Sequence, residues 1–450
     1  MKSKKQVKRL SWTAVSLLLA ASLAAGCGQS GSAPAETAAS EQKDASASAS
    51  GVTEISFVSY SNYEKPLKKV IEAFEAGHPD VKVKLELNPF AQMMETIEIK
   101  MGSKSKDMDL LFVDSPLVMN YAVKGYLEPL DKLLPEGAKQ TWVQSAVDAA
   151  SYQNQLMAAP MNNSSQVMYY NKDLFQKAGV PFPDEDKRMT WEEVRDLAKK
   201  LTQDTNGDGQ NDLFGFSFDQ VGRAYQLLAL SEGLGAKMIS EDGMVSSGYT
   251  NSPEAVKAFQ FYADLFNKDK VSPKIKKEES IDYFTSGKVA MFVGANHNLP
   301  KLKAAGLNFG VTLHPYFAGQ KIVTPTGAWN VGISKYSANK EAAAEFIQFL
   351  TVGEGAKIMF VEGGTLPPQV DLLDEIGSNP KYGQFPDNVI RIAARESRET
   401  AVPRPQTPGY LEWESNMNKA FEDMKNGTDP KKALDDAVNI IDNQLKKYKQ

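Results

Sequence analysis

The regular alternation of apolar runs constrains this chain most. "EISFVS" (residues 54–59) is an apolar run of strand length, and "EKPLKKVIEAFEA" sets Leu67, Val70, Ile71 and Phe74 at helical spacing. "VKVKLEL" then alternates Val81, Val83, Leu85 and Leu87 with charge, as a half-buried strand does. A methionine-rich helical stretch from Phe90 to Met101 leads into "DLLFVDS", whose apolar residues 110–113 end in Asp114 and Ser115. Strand, helix, strand, helix, strand is the pattern of a parallel sheet covered by helices, so the class is α/β. Ligands of such open sheets sit beyond the carboxyl ends of the strands, which places Tyr60, Ser61, Asn62, Asp114 and Ser115 at a crevice.

Helix signals recur downstream. Thr190 and Glu193 form a capping box before Val194, Leu197, Ala198 and Leu201. Ser252 and Pro253 open a helix carrying Val256, Phe259, Ala263 and Phe266, and Asp429 and Pro430 open another with Leu434, Val438, Ile441 and Leu445 on one face. Val167, Met168 and Tyr169 read as a buried strand that enters a helix capped by Asn171. No sustained internal repeat is present.

The amino-terminal segment has a different character. Lys2, Lys4, Lys5, Lys8 and Arg9 precede the apolar run "LSWTAVSLLLAASLAA", which is shorter than the roughly 20 residues of a spanning helix and ends in small residues. It reads as a cleaved secretory signal over residues 1–26. The only cysteine of the 450 residues, Cys27, follows at once, so it has no partner for an internal disulfide. "LAAGC" resembles the lipobox of bacterial lipoproteins, with Ala24 where a larger aliphatic residue is usual. The resemblance implies that Cys27 is acylated and anchors the chain in a lipid bilayer. Residues 28–53 are small and polar, unable to bury enough surface to fold, and read as a flexible tether behind the lipidated cysteine.

Charge narrows the partners. The whole chain carries −5, and residues 1–26 hold five basic and no acidic residues, so the remainder carries −10. An acidic body without a dense basic stretch is a poor ligand for nucleic acid. A body of nearly 400 residues is long enough to be stabilised by packing alone.

Five stretches, "PMNNSSQVMYYNKDLFQKAGVPFP" from Pro160, "TWEEVRDLAKKLT" from Thr190, "FTSGKVAMFVG" from Phe284, "PTGAWNVGISKYSANKEAAAEFIQFL" from Pro325 and "EGGTLPP" from Glu362, resemble successive landmarks of one family. It is the maltose-binding-protein-like, family 1 extracellular sugar-binding proteins of ABC importers, and the stretches occur in its order. The resemblance covers about residues 54–448. It implies a two-lobed periplasmic-binding-protein-like fold of type II, with a ligand cleft between lobes joined by hinge crossings. By analogy lobe 1 takes residues 54–160 plus 330–363 and lobe 2 residues 161–329 plus 364–450. A carbohydrate ligand, ABC permease subunits as partners, a monomer and an anchored position on the extracytoplasmic face of a Gram-positive membrane are expected.

A sugar offers hydroxyls that need paired donors and acceptors, and CH-rich faces that stack on aromatic rings. Tyr60, Asn62, Asp114, Ser115, Asn163, Asn296, His297, Trp329, Arg404 and Trp413 supply such groups and are the candidate contacts. Trp329 stands out, because Gly327 permits close approach of the backbone and "NVGIS" looks like a strand returning to lobe 1. "DTNGDGQND" offers Asp204, Asn206, Asp208, the Gln210 carbonyl and Asp212 at the first, third, fifth, seventh and ninth places of a calcium loop, with Gly209 at the sixth. The twelfth place is Gly215, so the loop is not an EF-hand, but a structural calcium ion is expected there; the alternative is a solvated turn rich in Asx residues. His78, His297 and His314 are dispersed, which disfavours a transition-metal receptor. No catalytic cofactor is expected. No G-x-S-x-G, H-E-x-x-H, P-loop or dinucleotide fingerprint is present, so the competing classes are a secreted carbohydrate-active enzyme and a sugar-sensing lipoprotein that feeds a membrane sensor.

Overall fold

The computed structural model describes residues 51–219, 222–276 and 279–449, all within one unit, Ser48–Gln450; the leader, Cys27 and the tether up to Ser50 lie outside them. Thr53–Tyr60 (β1), Val81–Asn88 (β2) and Leu110–Asp114 (β3) are parallel, β1 pairing with β2 along all eight residues. The helices between them, Glu64–Gly77 and Phe90–Gly102, bury Leu67, Val70 and Phe74, and Met93, Ile97 and Met101. A small hairpin of Ser151–Tyr152 (β4) and Gln155–Leu156 (β5) turns on Gln153 and Asn154, both at positive φ as a two-residue hairpin turn requires.

The remaining strands are Ala159–Asn171 (β6), Phe214–Phe218 (β7), Val289–Ala295 (β8), Phe309–Thr312 (β9), Thr324–Ile333 (β10) and Ala401–Val402 (β11). The nine-stranded sheet has the order β2-β1-β3-β10-β6-β8-β7, with β9 on β6 and β11 on β10. Two strands carry the connection between lobes. The first half of β6 pairs with β10, and its second half with β8 and β9. The end of β10, from Trp329 to Ile333, lies antiparallel to β3, whereas its start at Thr324 and Pro325 pairs with β11. A third segment passes beside them, where the Asn163 amide donates to the Leu366 carbonyl at 2.7 Å.

Each lobe has its own apolar interior. Ile55, Phe57, Leu111, Phe112, Val331, Ile333 and Phe346 belong to the core of the first lobe. The second lobe is filled on both sides of its sheet, and β6 shows why. Met168 and Tyr170 enter a core with Trp191, Phe216, Phe259 and Ile441, while Val167 and Tyr169 enter another with Phe292, Leu313 and Ile392. Successive side chains of a strand point to opposite faces, so a strand covered twice reads as one continuous apolar run. Val143 and Ala146, from the stretch expected in lobe 1, join the second of these cores.

The cap residues read from the sequence act as caps. Asn171 accepts from the amides of Asp173 and Leu174, Thr190 and Glu193 form both bonds of the capping box, Ser252 accepts from Ala255, and Asp429 accepts from Lys432. Each satisfies a backbone donor otherwise left open and contributes about 1 kcal/mol. The start of β10 is held by a buried charge. Glu396, fully buried, accepts from both Nη atoms of Arg188 (2.6 and 2.9 Å), the His314 amide (2.7 Å), and the hydroxyls of Thr324 (2.9 Å) and Thr400 (2.6 Å). With its oxygens paired in this way, the Glu396 side chain roots the crossing strand.

Candidate ligand-binding cleft

The crossing strands form the floor of a cleft. At Gly327 a Cβ atom would stand 2.9 Å from both Arg404 Nη2 and Ser164 Oγ and 3.1 Å from Tyr225 Oη, so only glycine lets these three groups converge on the strand. Ser164 Oγ accepts from the Gly327 amide at 3.1 Å and donates to its carbonyl at 3.0 Å. Two residues on, the register shifts between Trp329 and Asn330, and such a bulge re-aims a side chain. The Trp329 indole is partly buried against Phe112 (centroids 4.7 Å apart), Tyr60 (5.8 Å), Phe90 (5.9 Å) and Tyr63 (6.4 Å). Asn162 fixes this group from β6, its Oδ1 accepting from the Trp329 amide at 3.0 Å and its Nδ2 donating to Tyr63 Oη at 2.8 Å.

Above this floor lies a cavity of about 340 Å³. Tyr63, Asp114 and Trp329 line it from the first lobe, and Arg223, Tyr225, Gln226, Asn296, His297 and Arg404 from the second. Cavities of about 450 and 470 Å³ are bounded by the second lobe alone. Asp114 Oδ1 accepts from Arg404 Nη1 at 3.0 Å and its Oδ2 from Arg223 Nη2 at 3.2 Å. Arg404 Cζ lies over the Tyr225 ring, 4.0 Å from its centroid, and Arg223 Nε stands 3.3 Å from Glu414, which also accepts from Tyr410 Oη at 2.9 Å. Two guanidiniums thus face two carboxylates, and the cleft is electrically balanced. Burial penalises the charge of Arg404, but Asp114 outweighs it and holds the pKa above its ordinary value. Burial raises the pKa of Glu414 against the pull of both arginines. For His297 burial lowers the pKa against the opposing pull of Asp219, so the imidazole is neutral at neutral pH. Four buried polar atoms of the described lining have no hydrogen-bond partner within the protein: Arg223 Nε, Gln226 Oε1, Thr365 Oγ1 and Arg404 Nε.

Residues 60–357 match the model of the bacterial extracellular solute-binding protein family. The chain belongs to that family. This solute-binding protein is similar to the galactooligosaccharide-binding protein of Bacillus subtilis, 26% identical over 424 residues that cover 91% of this chain and 94% of that one. It is also similar to the sn-glycerol-3-phosphate-binding periplasmic protein of Pectobacterium atrosepticum, 26% identical over 86% of this chain and 84% of that one. Among solved structures, the ABC substrate-binding protein of Listeria monocytogenes in complex with cycloalternan matches with a TM-score of 0.71 and 27% identity, covering 88% of this chain and 99% of that one.

Of the residues expected at the crevice, Asp114, Asn163, Asn296, His297, Trp329 and Arg404 line the cavity. They do not all present free groups. Asn163 Nδ2 donates to Ser397 Oγ at 2.6 Å, and Asn296 Oδ1 accepts from the Ser165 amide at 3.0 Å. Tyr60 supports Trp329 from beneath, Asn62 donates to Tyr60 Oη at 2.7 Å, and Ser115 is buried outside the lining. Trp413 corrects the expectation: it is fully buried in the second lobe, its Nε1 donating to Thr250 Oγ1 at 3.2 Å. Its helix, Tyr410–Lys425, turns Tyr410, Trp413, Met417, Ala420, Phe421 and Met424 to the interior, and that apolar periodicity was available in the sequence. Asn162, Ser164, Arg223, Tyr225, Gln226 and Thr365 were not anticipated.

The loop from Asp204 to Asp212 lies far along the second lobe and closes on its own backbone. Asp204 accepts from the amides of Gly207 and Gly209 (both 2.7 Å), Asn206 from Asp208 (2.9 Å), Asp208 from Gln210 (2.8 Å), and Asp212 from the amide and hydroxyl of Thr205 (2.8 and 2.7 Å). Among the described residues no three His, Cys, Asp or Glu side chains are gathered as a metal site.

Proposed function

We propose that this solute-binding protein takes up a carbohydrate, most readily an oligosaccharide, between its lobes and delivers it to an ABC importer. The observation that carries this reading is the division of labour in the cleft. A partly buried indole offers an apolar face, and Gln226 Oε1, Thr365 Oγ1 and the Nε atoms of Arg223 and Arg404 offer one acceptor, one hydroxyl and two donors with nothing bound to them. A neutral ring with hydroxyls on its rim and CH groups on its faces satisfies both sets. Charge supports the choice over a phosphorylated solute, because Arg223 and Arg404 already face Asp114 and Glu414. The names of the galactooligosaccharide-binding relative and of the cycloalternan complex point the same way.

The lobes are assigned as residues 54–160 with 330–363 and 161–329 with 364–450, closing about β6 and β10; Trp329, at the boundary, packs its indole against the core of the first lobe. Catalysis is not part of the reading. A glycosidase needs two carboxyl groups about 5 to 9.5 Å apart across the bond, whereas among the described residues Asp114 is the one carboxylate in the lining and both its oxygens are held by arginines. The chain is proposed to be a monomer, and the leader and lipobox support its anchoring through acylated Cys27 on the outer face of a Gram-positive membrane. In the Asp204–Asp212 loop each acceptor oxygen keeps a second lone pair, so a structural calcium ion is proposed there.

Thermal unfolding of the full chain against neutral mono- and oligosaccharides and glycerol phosphate tests the reading. A neutral saccharide should raise the melting temperature by mass action and be recovered unchanged. Stabilisation by glycerol phosphate alone, or cleavage of the saccharide, would overturn it.

A further inference from the structure

The wall that the second lobe gives to the cleft is built around one aromatic ring. Tyr225 stands in the 3-10 turn Ala224–Leu227, where the Gln226 amide donates to the Arg223 carbonyl at 3.0 Å. Its ring is buried in a core of the second lobe, and Gly327 leaves room for its hydroxyl beside the crossing strand. Two guanidiniums lie over that ring, with Arg404 Cζ at 4.0 Å and Arg223 Cζ at 5.7 Å from its centroid. These are the two arginines whose Nε atoms are buried without a hydrogen-bond partner, so both unpartnered nitrogen donors of the described lining stand over one ring.

Like charges this close oppose one another, and Asp114 and Glu414 offset that opposition for both arginines. Asp114 belongs to the first lobe, however, and its two bonds hold the arginines only while the lobes are together. Glu414, 3.3 Å from Arg223 Nε, and the Tyr225 ring are parts of the second lobe itself. A cation over a ring face is attracted by the quadrupole of the ring, and more strongly where water is excluded. Unlike a carboxylate, the face takes up none of the in-plane N–H groups, so it fixes a guanidinium and leaves its edge free to donate.

We infer that Tyr225 is a positioning residue: its ring holds the guanidiniums of Arg404 and Arg223 so that their Nε–H groups are kept free for acceptor oxygens of the ligand. The nature of those oxygens, sugar hydroxyls, rests on the carbohydrate reading; the placement of the arginines does not.

Two readouts on the full chain test this, the first without ligand. Protons over a ring face resonate upfield, so in protein carrying isotope-labelled arginine the Arg404 Nε–H signal, assigned by its loss in Arg404→Lys, is expected upfield of exposed arginines. Tyr225→Leu should return it to their range, and Tyr225→Phe should leave it upfield. The second readout is calorimetric affinity for a neutral saccharide that stabilises the parent. Tyr225→Leu should weaken it about tenfold, and Tyr225→Phe should recover it to within about threefold of the parent. Should Tyr225→Leu fail to fold by circular dichroism, Tyr225→Met carries the same expectations. An unshifted Arg404 signal in the parent, or a shift that survives Tyr225→Leu, overturns the positioning role whatever the ligand. So does an affinity that Tyr225→Leu leaves unchanged, or one that Tyr225→Phe lowers as far as Tyr225→Leu does, since the hydroxyl and not the ring would then matter. A shift that behaves as expected in a parent that no saccharide stabilises supports the positioning role and counts against the carbohydrate reading alone.

Discussion

Replacing Trp329 by alanine separates two roles that the geometry combines. A tryptophan side chain carries about 200 Å² of surface that can be buried. In the unliganded protein part of it is covered by Phe112, Tyr60, Phe90 and Tyr63, with the remainder facing the cavity. If about half is covered, roughly 100 Å² at about 25 cal/mol per Å² gives about 2.5 kcal/mol of folding stability lost on truncation. A stacked ring covers a further 60 to 100 Å² or so, which is worth about 1.5 to 2.5 kcal/mol, or roughly 10- to 70-fold in affinity. From the sequence alone the indole is expected to project from the strand and to matter little for stability; the four-ring contact revises that. Urea unfolding of unliganded parent and Trp329→Ala measures the first quantity, and calorimetric titration with the stabilising saccharide measures the second. An affinity within threefold of the parent, alongside the full stability loss, would refute stacking and leave Trp329 as packing only.

Three other outcomes are expected. Burial pushes the His314 pKa down to about 4, with Glu396 opposing and Arg188 assisting; the unfolded chain, with a pKa near 6.5, binds the proton first, so this contribution is intact above about pH 6.5 and is lost as the pH falls towards 4. It amounts to about 2.5 kcal/mol between pH 7.5 and 4.5, and His314→Gln should flatten the difference between urea titrations at those two pH values; an unchanged difference rejects the assignment. Calcium added to chelated protein should raise the melting temperature by a few degrees, and Asp204→Asn combined with Asp208→Asn should abolish the rise; no rise in the parent leaves a solvated turn. Cys27→Ser should move the protein from the membrane fraction to the medium or leave it unprocessed, and a parent found free of membrane with residues 2–26 intact contradicts the anchor.

The parts of the fold that were legible in the sequence are those where one physical signal acts locally. Thr190 with Glu193, Ser252, Asn171 and Asp429 cap helices because a short oxygen before an apolar periodic run has little else to do. Asp114, Asn296 and His297 were legible as cleft residues because each stands at the carboxyl end of a strand of the sheet. The misses are equally physical. Asn162 and Ser164 were missed although Asn163 between them was chosen; all three line the cavity, Asn163 with its amide tied to Ser397 and its neighbours bonded to Tyr63 and the Gly327 carbonyl. Arg223, Tyr225 and Gln226 sit at and just within a short 3-10 turn, Ala224–Leu227, which has no periodicity to betray it. Their meaning comes from Arg404 and Asp114, distant in sequence by 181 and 109 positions respectively from Arg223, and contacts of that separation leave no local trace.

One strand explains why ligand contact and lobe movement are coupled here. Within ten residues β10 is rooted in the second lobe by Thr324 on Glu396, passes Gly327 against Arg404 and Ser164, presents Trp329 to the cavity, and ends in the core of the first lobe at Val331 and Ile333. The aromatic platform therefore stands two residues from the point where the strand passes Arg404. A rotation about that point would change the distance from the indole to Arg404, Gln226 and Tyr225 while leaving each interior intact. A ligand shifts a two-state equilibrium only by its difference in affinity for the two states. On the proposed function, with the apolar face packed on one lobe and the unpartnered polar atoms on the other, an open cleft would offer only part of the site, and the full set of contacts would exist in the closed form alone.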